Sequence, residues 1–105
     1  MDLHARRCTP CERGTPPLTD DHALRLLAEI PGWAVHEHRS RRRFTFPGFP
    51  DAIRFIDRMA EVAEACGHHP DFCVHYREVE VTVWTHAIGG LSDNDFILAA
   101  KIDRL

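Results

Sequence analysis

The sequence lacks any apolar run long enough to cross a bilayer as a helix. It also lacks a basic excess. Thirteen Lys and Arg stand against 16 Asp and Glu, a net charge of −3 with His neutral. Binding to phosphates wants a net basic face, so nucleic acid is not expected as the main partner. The opening "MDLHARRCTPCERGTPPLT" carries charge but no apolar core of a leader peptide. No secretory signal is therefore expected, and the cytoplasm is the default location. No internal repeat or low-complexity tract is visible. Cysteine pairs are scarce too. Cys8 and Cys11 have the spacing of half a zinc site, but no second pair with ligand spacing follows. Cys66, His68 and His69 could be enlisted, yet adjacent histidines are awkward ligands for one ion. No β-α-β context surrounds Cys8 and Cys11 to make a redox motif. The four cysteines, Cys8, Cys11, Cys66 and Cys73, are read as free thiols of a reducing compartment.

What is present is an ordinary globular mixture, 44% apolar and 28% charged, in 105 residues. That length is one domain with one real core. Residues 1–17, rich in Arg, Pro, Thr and Gly without periodicity, read as a flexible N-terminal arm. Residues 18–105 form the domain. Eight histidines are many for this length, and imidazole titrates near neutrality without special help.

The domain reads as helix, two strands, helix, two strands, helix. Thr19 is a good N-cap, followed by Asp20 and Asp21 at the positive end of the dipole. "WAVHEHR" and "RRFTF" alternate as strands, with "RSRR" as a charged, solvated hairpin tip. From Pro50 to Cys66 a helical stripe runs through Ala52, Ile53, Ile56, Met59, Ala60 and Ala63, and Gly67 stands where a helix-ending glycine belongs. "DFCVHY" and "VEVTVWTH" flank a turn at Arg77 and Glu78. Val79, Val81 and Val83 share the face toward the helices. Glu80, Thr82, Trp84 and His86 share the other, which suits a ligand or a subunit contact. Ser92 with Asp95 makes a capping box, and Leu91 with Phe96 a hydrophobic staple. Phe96, Ala99, Ala100 and Leu105 are expected to face the core. The fold class is α+β, two-layered, with a four-stranded antiparallel sheet covered by helices on one face.

Chemistry concentrates at "CGHHPDF". Gly67 turns the chain out of the helix, and Pro70 pushes His69 toward an extended conformation, so the corner is stiff. A stiff corner presents side chains reproducibly, as catalysis requires. The plainer reading is a helix stop with two loop histidines. His86 ends a strand before "AIGG", a common place for ligands and equally for an ordinary edge residue. Glu64 sits in the last helical turn, where it either flanks solvent or orients an imidazole. Asp95 is first a capping residue.

Taken together these residues resemble the pterin-4a-carbinolamine dehydratase family. The pattern is Glu64, three residues, His68-His69-Pro70, five residues, Tyr76, nine residues, His86, then Asp95. The resemblance extends from "PLT" near residue 17 to "KID" near residue 103. It implies dehydration of 4a-hydroxytetrahydrobiopterin to quinonoid dihydrobiopterin, in recycling of the pterin used by aromatic amino acid hydroxylases. It implies no metal and no organic cofactor, and assembly as a homodimer or tetramer. It implies that His68, His69 and His86 are catalytic, with Glu64, Pro70, Tyr76 and Asp95 supporting them or binding substrate. Alternatives are a dimerisation or coactivator module with a vestigial site, or a hydro-lyase acting on another pterin.

Overall fold

The structure is a computed structural model that describes residues 3–9 and 14–105. Thr19 caps α1 (Asp20–Leu27), its hydroxyl accepting from His22 N at 3.3 Å. β1 (Ala34–His36) and β2 (Arg39–Thr45) precede α2 (Phe49–Cys66). β3 (Asp71–His75), β4 (Glu78–Val83) and α3 (Asp93–Ile102) complete the α+β fold. The four strands form one antiparallel sheet in the order β1-β2-β4-β3.

The valine alternation of β4 sets the two faces. Val79, Val81 and Val83 are fully buried, each contributing roughly 1.5–3 kcal/mol. Across from them, Ser40 and Phe44 of β2 point the same way. Phe44 and Phe46 meet Phe55 of α2 at ring separations of 4.7 and 4.9 Å. Phe55 is therefore a centre of the α2 contact. Ile53 and Ala60, expected in the buried stripe, are exposed, because the aromatic pair on the sheet draws the helix round toward Phe55. α3 is buried on nearly every side, since the sheet and α2 lie against it and Leu3–Ala5 covers it as well. Leu105 is the exception to the expected core list, lying partly exposed beyond the helix end.

Two turns sit earlier than the sequence suggested. The first hairpin closes at His36 and Arg39, with Glu37 and His38 both left-handed, at φ 51° and 61°. Two left-handed residues match the strand twist even without the usual Gly or Asn. The arginine run consequently lies within β2 and not at its tip. Arg42 donates to Asp103 at 2.9 Å, beside Trp33 Nε1 on the same carboxylate, while Arg43 pairs with Glu80. The second turn is Tyr76-Arg77, with His75 opposite Glu78.

The cysteines correct the free-thiol expectation. Cys8 and Cys66, 58 residues apart, form a disulfide with their Cα atoms 5.3 Å apart. Cys73 is free and exposed, and Cys11 lies outside the described residues. Leu3–Thr9, read from the sequence as part of an arm, packs along α3: Leu3 is buried and Lys101 Nζ donates to His4 O at 2.8 Å.

Candidate active site

The end of α2 builds the first wall of the site. Gly67 takes φ 65°, its N–H bonds Glu64 O, and the N–H of His68 reaches back to Ala63 O. This paired closure uses the helix's orphan carbonyls and needs a residue at ease in the left-handed region. It also ties the backbone of His68 directly to the helix. Pro70 then sends the chain into β3.

The second wall is the loop after β4. Thr85 and Gly90 exchange backbone hydrogen bonds, so residues 86–89 form a closed loop. His86–Ile88 makes one 3-10 turn within it, ended by Gly89 at φ 63°. Trp84 and His86 lie ring on ring, with centroids 4.0 Å apart, and the Arg39 guanidinium covers Trp84 at 4.2 Å.

Between these walls is a cavity of about 620 Å³. Glu64, His68, His69, Pro70 and His86 all line it. Asp95 stands immediately behind. Its carboxylate is wholly buried and fully used: Oδ1 lies 2.5 Å from His68 Nε2, and Oδ2 accepts from Thr85 Oγ1 at 2.8 Å and Ser92 N at 2.9 Å. Thr85 Oγ1 and Ser92 Oγ are themselves 2.8 Å apart. The capping residue of α3 therefore holds both the ring of His68 and the root of the His86 loop. Asp95 Oδ1 thus engages Nε2 of His68, and Nδ1 is its other ring nitrogen. The His68 side chain is 12% exposed.

His69 and Glu64 pair at 2.9 Å on the outer rim, both largely exposed. Tyr76 is not brought to the cavity. It occupies the β3–β4 turn at φ 57° and is 69% exposed.

Asp71 is a site residue that sequence reasoning passed over. Its Oδ2 accepts from Trp84 Nε1 at 3.2 Å and lies 3.9 Å from His86 Nε2. The signal was available in the strand pairing. Asp71 faces Thr82 across the ladder, on the side that Trp84 and His86 share. Thr85, Asn94, Cys8 and Thr9 also line the cavity and were not anticipated there. Among the described residues no group of three or more His, Cys, Asp or Glu is arranged to hold a metal ion.

Fold and site together define an α+β protein with a cavity between a helix end and a strand end, lined by three histidines with the buried carboxylate of Asp95 behind it. Residues 16–105 match the family model described as pterin 4 alpha carbinolamine dehydratase. A protein of Rubrobacter xylanophilus is 46% identical over 105 residues, covering 99% of this chain and 98% of its own. One of Dechloromonas aromatica is 43% identical, covering 99% and 93%. Both carry the provisional name pterin-4-alpha-carbinolamine dehydratase. A crystal structure from Brucella melitensis, described as a transcriptional coactivator/pterin dehydratase, superposes with a TM-score of 0.81 at 30% identity, over 84% of this chain and 96% of that one. The chain belongs to the pterin-4a-carbinolamine dehydratase family. No helix among the described residues is long and apolar enough to cross a membrane.

Proposed function

We propose that this protein dehydrates 4a-hydroxytetrahydrobiopterin to quinonoid dihydrobiopterin by histidine acid–base catalysis. The observation that carries the reading is the convergence of His68, His69 and His86 on one cavity, with Asp95 tied to His68 and, through Thr85, to the His86 loop.

The reaction needs two proton movements. The C4a hydroxyl accepts a proton and leaves as water. The N5 proton departs, and its bonding pair forms the C4a–N5 double bond. His68 is the base. Asp95 accepts its Nε2–H and balances the positive charge the ring acquires when Nδ1 takes the N5 proton, as carboxylates do behind other catalytic histidines. His86 is the acid. It stands on the opposite wall, stacked on Trp84 and flanked by Asp71. Each such transfer typically contributes about 10²–10⁴-fold. His69, with Glu64 beside it, binds and orients the pterin at the rim, and Pro70 keeps the corner stiff. Tyr76, at the exposed turn away from the cavity, serves on this reading as a contact for a second copy of the chain.

The same reading assigns the proton-transfer chemistry to residues 18–105. It needs no metal or organic cofactor. It also carries a homodimer or tetramer, a cytoplasmic setting and a substrate supplied by aromatic amino acid hydroxylation. The coactivator description of the Brucella melitensis structure favours a second reading, a binding module whose site is vestigial. Freshly generated carbinolamine separates the two. Dehydration well above the spontaneous rate, abolished in the double variant His68→Ala/His86→Ala, is expected. A rate no faster than the spontaneous one defeats the enzyme reading.

A further inference from the structure

Cys8 and Thr9 fall outside the stretch matched by the family model, residues 16–105, yet they reach the cavity. Cys8 and Thr9 line it together with Cys66–His69 and the Trp84–Ala87 wall. The segment is held at several points. Arg6 pairs with Asp93 at 3.2 Å, and Thr9 N donates to Asn94 Oδ1 at 2.9 Å while Asn94 Nδ2 donates back to Thr9 O. These ties run to α3. To α2 the segment is joined covalently, by the Cys8–Cys66 disulfide, and Cys66 is two residues from His68.

We propose that Leu3–Thr9 is a redox-held wall of the substrate pocket that determines which pterin side chains the enzyme accepts. With the disulfide closed, Cys8 and Thr9 are pinned beside the histidine corner and limit the space there. A dithiol opens it: Cys8 and Cys66 each gain a hydrogen as thiols, and the dithiol is oxidised to its own disulfide. Leu3 remains buried and the α3 ties persist, so the wall loosens at its cavity end without leaving the protein. The proposal rests on the dehydratase reading for its substrate class. In a reducing compartment the closed form would report oxidising conditions as a narrower substrate choice.

The test uses the full-length protein, air-oxidised or treated with dithiothreitol. Steady-state dehydration is measured for the 4a-hydroxy forms of tetrahydrobiopterin and of 6-methyltetrahydropterin, which has the smaller side chain. Expected is a change of at least about threefold in the ratio of the two KM values on reduction, well within the discrimination one pocket wall supplies. Cys8→Ser should show the reduced ratio in either condition. An unchanged ratio overturns the proposal. So does a non-reducing peptide map in which Cys8 and Cys66 of the air-oxidised protein are not linked. If neither pterin is dehydrated, the functional reading falls by itself. The wall is then judged by tryptophan fluorescence titration with the two tetrahydropterins. A shift in their affinity ratio on reduction supports it, and an unchanged ratio overturns it.

Discussion

His68 and His86 face one cavity but are held by opposite means. His68 is nearly buried, its backbone bonded to the end of α2 and its ring to a carboxylate with no solvent exposure. His86 is 60% exposed and kept in place by stacking on Trp84 and a loose approach to an exposed Asp71. One side is built into the hydrogen-bond network that also starts α3. The other sits on a closed loop that can adjust without disturbing the core. On our account the first arrangement suits a base that must hold charge after accepting a proton. The second suits an acid that must follow a departing hydroxyl.

The contrast breaks if the two sides respond alike. Asp95→Ala has the largest combined effect expected. It removes half a capping box and leaves Ser92 N and the His68 ring without their partner, costing roughly 2–4 kcal/mol. Denaturant unfolding should show this loss together with a collapse of kcat. Next comes reduction of the Cys8–Cys66 bond, which closes a long loop and stabilises by about 2–4 kcal/mol. Thermal melts with and without dithiothreitol should differ accordingly. Asp71→Asn is smaller. It weakens an exposed contact, so we expect kcat/KM to fall by no more than about tenfold with unfolding unchanged. Smallest is Glu64→Gln, whose pair with His69 lies in solvent. KM should rise by less than about fivefold, and less still at high salt.

The parts legible in the sequence were those governed by near neighbours. Val79, Val81 and Val83 alternate, so their face followed from period alone. Gly67 ends α2 where its spacing from the apolar stripe placed it. Ser92 and Asp95 read as a capping box, and they form one. What was hidden depended on partners far along the chain. The second oxygen of Asp95, turned toward His68, cannot be seen from a cap motif that uses only the first. Asp71 becomes a neighbour of Trp84 only once β3 and β4 pair. Phe55 outranks Ile53 because two phenylalanines of β2 and its end happen to meet it. The Glu37-His38 turn carries no Gly or Asn to announce it. The Cys8–Cys66 bond joins segments 58 residues apart, and the expectation of a reducing compartment pointed the other way.

The most direct test of the account is the pH dependence of kcat for dehydration of 4a-hydroxytetrahydrobiopterin by the wild type, His68→Ala and His86→Ala. A base and an acid working together give the wild type a bell-shaped profile. His68→Ala should lose about 10²–10⁴-fold in kcat and the limb on which activity rises with pH. His86→Ala should lose a similar factor and the limb on which activity falls. Variants that stay within a few-fold of wild type, or that keep both limbs of the bell, would contradict the assignment of the two histidines.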